Sequence, residues 1–368
     1  MEAVFREVLN ILGRGETAAL STIVSSKGSL PMSKKAKMLV RQDGTFVGTV
    51  GGGCLEADVW SEARQVMETG KPSLQRFILT EKHAGESGLN CGGNVEIFTE
   101  PICSGVLSDV LESVVRLQET RGTGVLATLV AGEEHAAGRK LLVTAAGETV
   151  GTLGDPALDE RVCREADGII REDLLKVFTV EQDTGEARVF VESILPDPQL
   201  FLFGAGHVSR AIARIAKTVG FRLIVIDDRP AFASPERFPD ADQLIVDEFD
   251  GIVEKLPIDE QSYLVAVTRG HQWDQPIIAQ AVWTRAKYIG MIGSRRKVAL
   301  MWKHLEAQGI PRALLERVHA PIGLDINADT PDEIAVSIVA ELINVRRARG
   351  KPGHTEEQMV SESAFSQA

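Results

Sequence analysis

Leu200-Phe201-Leu202-Phe203-Gly204-Ala205-Gly206-His207-Val208-Ser209 constrains the fold more than any other stretch of this chain. An apolar run of strand character breaks into Gly-x-Gly and continues at helical spacing. Asp227 and Asp228 then end the next apolar run, roughly 20 residues on, the context of a dinucleotide-binding half-domain. In that reading Gly204 makes the tight turn and Gly206 lets a phosphate reach the helix N-terminus, where free N–H groups favour anions. Asp227 accepts from a ribose hydroxyl, with Asp228 beside it. Ser209 stands where the pattern has its third glycine, so it either alters helix–strand packing or offers a hydroxyl to phosphate.

Strands and helices alternate around this motif, which predicts a Rossmann-like, parallel, doubly wound sheet over 195–349. Strands are expected at 199–203, 222–226, 243–246, 262–267 and 287–291, with helices at 208–219, 274–283 and 295–308. Thr330-Pro331-Asp332-Glu333 reads as a capping box with proline at the first helical position, opening a helix to about Arg349. Two further loops fall at strand C-termini, where ligands bind in open α/β sheets. Thr268-Arg269-Gly270-His271 is one, with Asp274 just beyond. Gly293-Ser294-Arg295-Arg296-Lys297 is the other, offering N–H groups, a hydroxyl and cations suited to an oxyanion. The bland reading of that basic run is a solvated helical turn, and loop histidines such as His207 and His271 are more often hydrogen-bonding neighbours than catalysts.

Leu195-Pro196-Asp197-Pro198 reads as a linker, which leaves 1–194 as an α+β domain. A helix is expected at 3–13, then strands at 17–24, 36–40 and 45–49 with an Asp43-Gly44 hairpin turn. A helix at 54–68 and strands at 74–79 and 94–99 follow. A helix near 104–119 leads to a further sheet at about 124–130, 140–144, 148–152, 174–179 and 187–191. No internal repeat is evident. Residues 350–368 are polar and aperiodic, and are expected to be a disordered tail.

This domain supplies a thiol. Gly51-Gly52-Gly53-Cys54-Leu55-Glu56 delivers a cysteine onto a helix start, where the dipole favours thiolate. Leu89-Asn90-Cys91-Gly92-Gly93-Asn94 is a second glycine-flanked cysteine, so both are candidates for one cleft. The competing reading for each is a small buried residue under its loop. Cys103 and Cys163 lack the glycine pairs and read as structural. The four cysteines match neither a disulfide framework nor a CxxC zinc site, and two thiols make a poor metal centre, so a dedicated metal ion is not expected.

The net charge of −12 repels nucleic acid and anionic membranes, and no apolar run reaches the ~18 residues a membrane span needs. Residues 1–12 mix charges into an amphipathic pattern and not a signal peptide, so cytoplasm is the default compartment. No Ser-His-Asp or HExxH arrangement appears.

Together these motifs resemble the XdhC/CoxI family of accessory proteins for molybdenum hydroxylases. The resemblance covers most of the chain. It rests on Gly52-Gly53-Cys54-Leu55-Glu56, Cys91-Gly92-Gly93, Phe203-Gly204-Ala205-Gly206-His207-Val208, Asp227-Asp228-Arg229, Ile292-Gly293-Ser294-Arg295-Arg296-Lys297 and Ala320-Pro321-Ile322-Gly323-Leu324-Asp325. It implies a protein that binds molybdenum cofactor as cargo and supports its sulfuration. Delivery to apo-xanthine dehydrogenase or a related hydroxylase is implied too, with a cysteine desulfurase as co-worker, in a cytoplasmic homodimer. The family's cofactor-associated cysteine falls on Cys54, the one residue implied to touch molybdenum. One departure stands out. The family's Pro-Arg-glycine pattern is replaced by Ser29-Leu30-Pro31-Met32-Ser33-Lys34-Lys35-Ala36-Lys37, which keeps positive charge through lysines but loses a bidentate arginine. The Gly-x-Gly motif and Asp227 also admit two other readings, an NAD(P)-dependent oxidoreductase and a nucleotide-sensing regulatory partner.

Overall fold

The computed structural model describes residues 2–27, 35–79, 93–102, 107–132, 136–182 and 185–348. The expected tail at 350–368, Ser29–Lys34, Cys91, Gly92 and Cys103 lie outside them. The chain divides into two compact units between Pro196 and Asp197.

The first unit contains a repeat that the sequence conceals. Its opening half runs α1 (Glu2–Arg14), β1 (Ala18–Lys27), β2 (Lys37–Arg41), β3 (Phe46–Gly48), α2 (Gly53–Thr69), β4 (Ser73–Leu79) and β5 (Gly93–Ile102). The closing half runs α3 (Leu107–Glu119), β6 (Gly124–Ala131), β7 (Lys140–Thr144), β8 (Thr149–Gly151), α4 (Pro156–Arg171), β9 (Leu175–Gln182) and β10 (Gly185–Ile194). Each half folds into a five-stranded antiparallel sheet, ordered β3-β2-β1-β5-β4 in one and β8-β7-β6-β10-β9 in the other. The registers agree residue for residue. Thr22 pairs with Lys37 and Leu20 with Glu100, as Thr128 pairs with Lys140 and Leu126 with Glu192. The expectation of no repeat is therefore corrected, and the single further sheet expected after residue 124 is the second copy.

Strand alternation explains the layering, because successive side chains point to opposite faces. On β5, Val95 and Ile97 pack with Leu55, Val59, Ala63 and Val66 of α2. On β10, Val189 and Val191 pack with Leu158, Val162, Ala166 and Ile169 of α4. The opposite faces of the two sheets meet each other. Leu20, Leu39, Leu126 and Leu142 close on α1 and α3 there, and Val24, Phe98, Val130 and Phe190 form a second apolar cluster. Helix α4, expected from the sequence only as the helix that carries Cys163, has Asp155 as its cap, Pro156 in its first turn and apolar residues recurring at helical spacing.

Polar residues also lie between the sheets, and they are exchanged between halves. Lys37 Nζ donates to Glu192 Oε1 at 2.8 Å, and Lys140 Nζ donates to Glu100 Oε1 at 2.7 Å. All four side chains are at most 3% exposed. Burial pushes the Lys37 ammonium down from its ordinary pKa, against the upward pull of Glu192.

The second unit is a six-stranded, wholly parallel sheet in the order β13-β12-β11-β14-β15-β16. Its elements are β11 (Gln199–Phe203), α5 (His207–Thr218), β12 (Arg222–Asp227), β13 (Gln243–Val246), β14 (Ser262–Ala266), α6 (His271–Ala281), β15 (Tyr288–Met291), α7 (Arg295–Ala307), α8 (Arg312–Leu315), β16 (Val318–His319) and α9 (Pro331–Arg347). The strands are nearly all apolar because helices cover both faces of the sheet. α9 starts on the capping box read from the sequence, with Thr330 and Glu333 bonded reciprocally. No helix among the described residues is long and apolar enough to cross a membrane.

Candidate functional site

Cys54 is exposed on the first turn of α2. Leu55, Val59, Ala63 and Val66 anchor the helix to the sheet, so the neighbouring cysteine falls on the solvent side. The glycines are needed by the backbone, with φ of 139° at Gly51, 75° at Gly52 and 63° at Gly53, a run that only glycine adopts without strain. Gly52 is the N-cap and supplies no side-chain acceptor. The repeat provides an internal comparison. In the closing half, Asp155 takes the N-cap position and accepts from the Ala157 N–H at 2.8 Å, whereas the opening half has glycine there and Cys54 where Ala157 stands. The side-chain cap that closes the second copy is thus missing from the first among the described residues, which leaves the first-turn N–H groups for another acceptor. Thr49 Oγ1 donates to Glu56, and the Gly51 N–H donates to Thr49 Oγ1 at 3.2 Å, which ties the first-turn carboxylate into the loop. Among its partners in the sequence reading, Gly93 opens β5, whereas Cys91 and Gly92 lie outside the described residues.

Two expectations for this unit are corrected. Cys163, read as structural, is exposed on α4, because it follows Val162 onto the helix's outer side. Of the lysines read as keeping positive charge in the 29–37 stretch, Lys34 lies outside the described residues and the other two are engaged within the unit. Lys37 is buried against Glu192, and Lys35 donates to Asp173 and to Ser193 Oγ at 3.0 Å.

In the second unit the Gly-x-Gly turn sits at the C-terminal end of β11, where the strand order reverses between β11 and β14. Gly204 has φ of 102°, and a Cβ there would lie 2.6 Å from Val267 O and 2.8 Å from Thr268 Cα, so no other residue fits. Gly206 caps α5 with no side-chain hydrogen bond and has open space where a Cβ would be. His207 is exposed beside it. Ser209 takes the packing alternative: it is buried and donates to Gly204 O at 2.5 Å.

The two aspartates are engaged by the protein itself. Asp227 Oδ2 accepts from the Ala205 N–H at 2.7 Å, and Arg229 donates to both oxygens at 2.8 and 3.0 Å. Burial pushes the Asp227 pKa up, but these bonds outweigh it and hold the carboxyl below its ordinary range. Asp228 receives a fork–fork pair from Arg269, with both distances 2.6 Å. Because β12 and β14 flank β11, that pair spans the loops on either side of the glycine turn. Thr268 is fixed by Asp274, donating to Oδ1 at 2.7 Å. His271 opens α6. Ser294 caps α7 by accepting from the Lys297 N–H. Arg295, Arg296 and Lys297 are exposed and form no ion pair among the described residues, the basic run following Gly293 after β15.

Residues 200–342 match the XdhC Rossmann domain, and residues 11–77 and 117–180 match the XdhC and CoxI family. A relative from Bacillus subtilis, named as a probable xanthine dehydrogenase component, is 30% identical over 90% of this chain and 94% of its own length. The chain belongs to the XdhC and CoxI family. A second relative, the molybdenum cofactor insertion chaperone PaoD of Escherichia coli, is 23% identical over 93% of this chain and 88% of its own. The uncharacterized protein YqeB of Escherichia coli is 27% identical over 95% of this chain, which spans only 48% of that protein. Among solved structures, a xanthine dehydrogenase from Bacillus halodurans matches with a TM-score of 0.75 and 26% identity, over 95% of this chain and 97% of that one.

This XdhC-type Rossmann unit also holds a network absent from the sequence reading. Glu341 on α9 accepts from Tyr288 Oη at 2.5 Å and from the Gly323 N–H at 2.7 Å, and His319 Nδ1 lies 2.9 Å from its other oxygen. The network holds down the Ala320–Asp325 loop. Its signal in the sequence is slight, an acidic Glu341 in the apolar middle of α9.

Proposed function

We propose that this chain binds molybdenum cofactor and supports its insertion into xanthine dehydrogenase or a related molybdenum hydroxylase. The observation that carries the reading is the exposed Cys54 on an uncapped helix start, in a family member whose relative PaoD is named as a molybdenum cofactor insertion chaperone. The relative from Bacillus subtilis, named for xanthine dehydrogenase, supports the class of recipient. The cargo is phosphorylated and sulfur-rich and carries a thiophilic metal. The residues of the first unit fit it, with a solvent-facing thiol for the metal and the open α2 start for an anionic group; separately, the uncapped Gly206 and the exposed Ser294–Lys297 run of the second unit suit a phosphate-bearing ligand of their own. Gly52, Gly53, Cys54 and Glu56, with Cys91, Gly92 and Gly93, are the proposed cofactor loops. Support of cofactor sulfuration with a cysteine desulfurase, and action as a cytoplasmic homodimer, belong to the same proposal and rest on the family resemblance.

Titration of the purified chain with molybdenum cofactor under anaerobic conditions tests the reading. Binding should be saturable, and Cys54→Ala should weaken it at least about tenfold, the loss of one metal–thiolate contact. Equal affinity in the variant removes the thiol from the mechanism, and no binding at all removes the function.

A nucleotide in the second unit is the other reading, favoured by the open Gly206 cap. Its ribose would have to compete with Ala205 and Arg229 for Asp227. Calorimetry with ADP and NAD(P) decides it. Binding without hydride transfer makes the unit a sensor, and turnover of NAD(P)H makes it an oxidoreductase.

A further inference from the structure

We propose that the centre of the first unit is a built site for a single water molecule, shared by its two halves. The space between the sheets is about 10 Å³, and Thr22, Lys37, Glu100, Thr128, Lys140 and Glu192 supply its polar wall. Phe98 and Phe190 belong to the apolar wall. A single water needs about 10–15 Å³ of such space and two to four polar partners.

The hydrogen bonds around this space leave room for one water. Each carboxylate gives Oε1 to the lysine of the opposite half, while Glu100 Oε2 and Glu192 Oε2 are buried with no partner among the described residues. Each ammonium has three N–H groups. Lys37 directs two of them at Glu192 Oε1 and Thr22 Oγ1, and Lys140 directs two at Glu100 Oε1 and Thr128 Oγ1. Besides the Thr22 and Thr128 hydroxyl protons, two carboxylate oxygens and one N–H on each ammonium remain, arranged by the repeat as a symmetric set. Water offers two donors and two lone pairs, so one molecule can serve both carboxylate oxygens and both ammonium N–H groups. An added cation does not suit the site, because the two ammoniums and two carboxylates already cancel and burying a further charge is strongly unfavourable. An unsolvated carboxylate oxygen at this depth is also costly. The water is therefore part of the joint between the halves.

Crystals diffracting well enough to show ordered solvent should contain one peak within hydrogen-bonding distance of both Glu100 Oε2 and Glu192 Oε2. Absence of density there overturns the proposal, as does an anomalous peak at that position in rubidium-soaked crystals. Oxygen-17 relaxation dispersion on the intact protein gives a second readout. Val130→Ile adds a methyl to the wall of this space. The variant should lose the amplitude of one long-lived water and shift its unfolding equilibrium roughly tenfold toward the unfolded state, as the carboxylates lose their partner. Unchanged amplitude, or a variant as stable as the parent, contradicts the assignment. If Val130→Ile does not fold, the density in the parent protein decides alone.

Discussion

Removing one member of the Lys37–Glu192 pair should harm the protein far more than removing both. Glu192→Leu leaves the Lys37 ammonium, whose side chain is 2% exposed, without its 2.8 Å partner and between the Phe5 and Phe190 rings. Uncompensated burial of that kind costs about 3–5 kcal/mol, or roughly 10²- to 10⁴-fold in the unfolding constant. With a urea slope of about 2 kcal/mol/M, the midpoint falls by about 1.5–2.5 M. Lys37→Met combined with Glu192→Leu replaces the pair by apolar side chains of similar size, so its cost should stay within about 1.5 kcal/mol. Urea unfolding followed by circular dichroism compares the parent with both variants. The reasoning fails if the single variant loses less than about 1 kcal/mol, or if the double variant loses as much as the single one. Either result means that the charges are solvated in the folded protein and do not fasten the two halves.

Three further outcomes follow from particular contacts. Glu341 is pushed up by burial but held below its ordinary pKa by His319, Tyr288 and the Gly323 N–H, and Asp227 is likewise depressed. A depressed carboxyl contributes stability above its unfolded pKa of about 4 and loses it as pH falls through the folded value. The urea midpoint of the second unit should therefore hold from pH 7 to about 5 and drop below about 4, and Glu341→Gln should flatten that drop; a midpoint that rises on acidification is the contrary result. Thr330→Ala removes the side-chain half of the α9 capping box and should cost about 1 kcal/mol in the same assay, with no measurable loss counting against the cap. Cys54→Ser and Cys163→Ser should each remove one rapidly reacting thiol in a colorimetric thiol assay, since both residues are exposed; an unchanged fast phase in either variant contradicts that placement.

The parts of the fold legible in the sequence are those that depend on local geometry. Gly204 is readable because the crossing of β11 with the β14 loop tolerates no side chain. Thr330 and Glu333 are readable because a cap is written in neighbouring residues. Helix α4 is equally local, through Asp155, Pro156 and the spacing of Leu158, Val162, Ala166 and Ile169, but it is hidden among strand signals on either side. The repeat is not legible, because its halves share pattern more than identity. Their loops also differ, residues 80–92 joining β4 to β5 where Asp183-Thr184 joins β9 to β10. What each half has in common, a Thr–Lys pair and a buried Glu, acquires meaning only when Lys37 meets Glu192 and Lys140 meets Glu100 across the unit. At the candidate sites, the exposure of Cys54 follows from its place beside Leu55. The engagement of Asp227 by Ala205 does not, because it joins two strands' ends in space.

Cys54 as the contact for the cargo is the claim on which the proposed function depends. Protein purified anaerobically from a molybdenum-replete host should carry pterin and molybdenum together, detected by mass spectrometry and elemental analysis. Cys54→Ala should lose both while Cys163→Ala keeps them. Cofactor-free parent protein, or equal loading of the Cys54→Ala variant, would contradict the central claim.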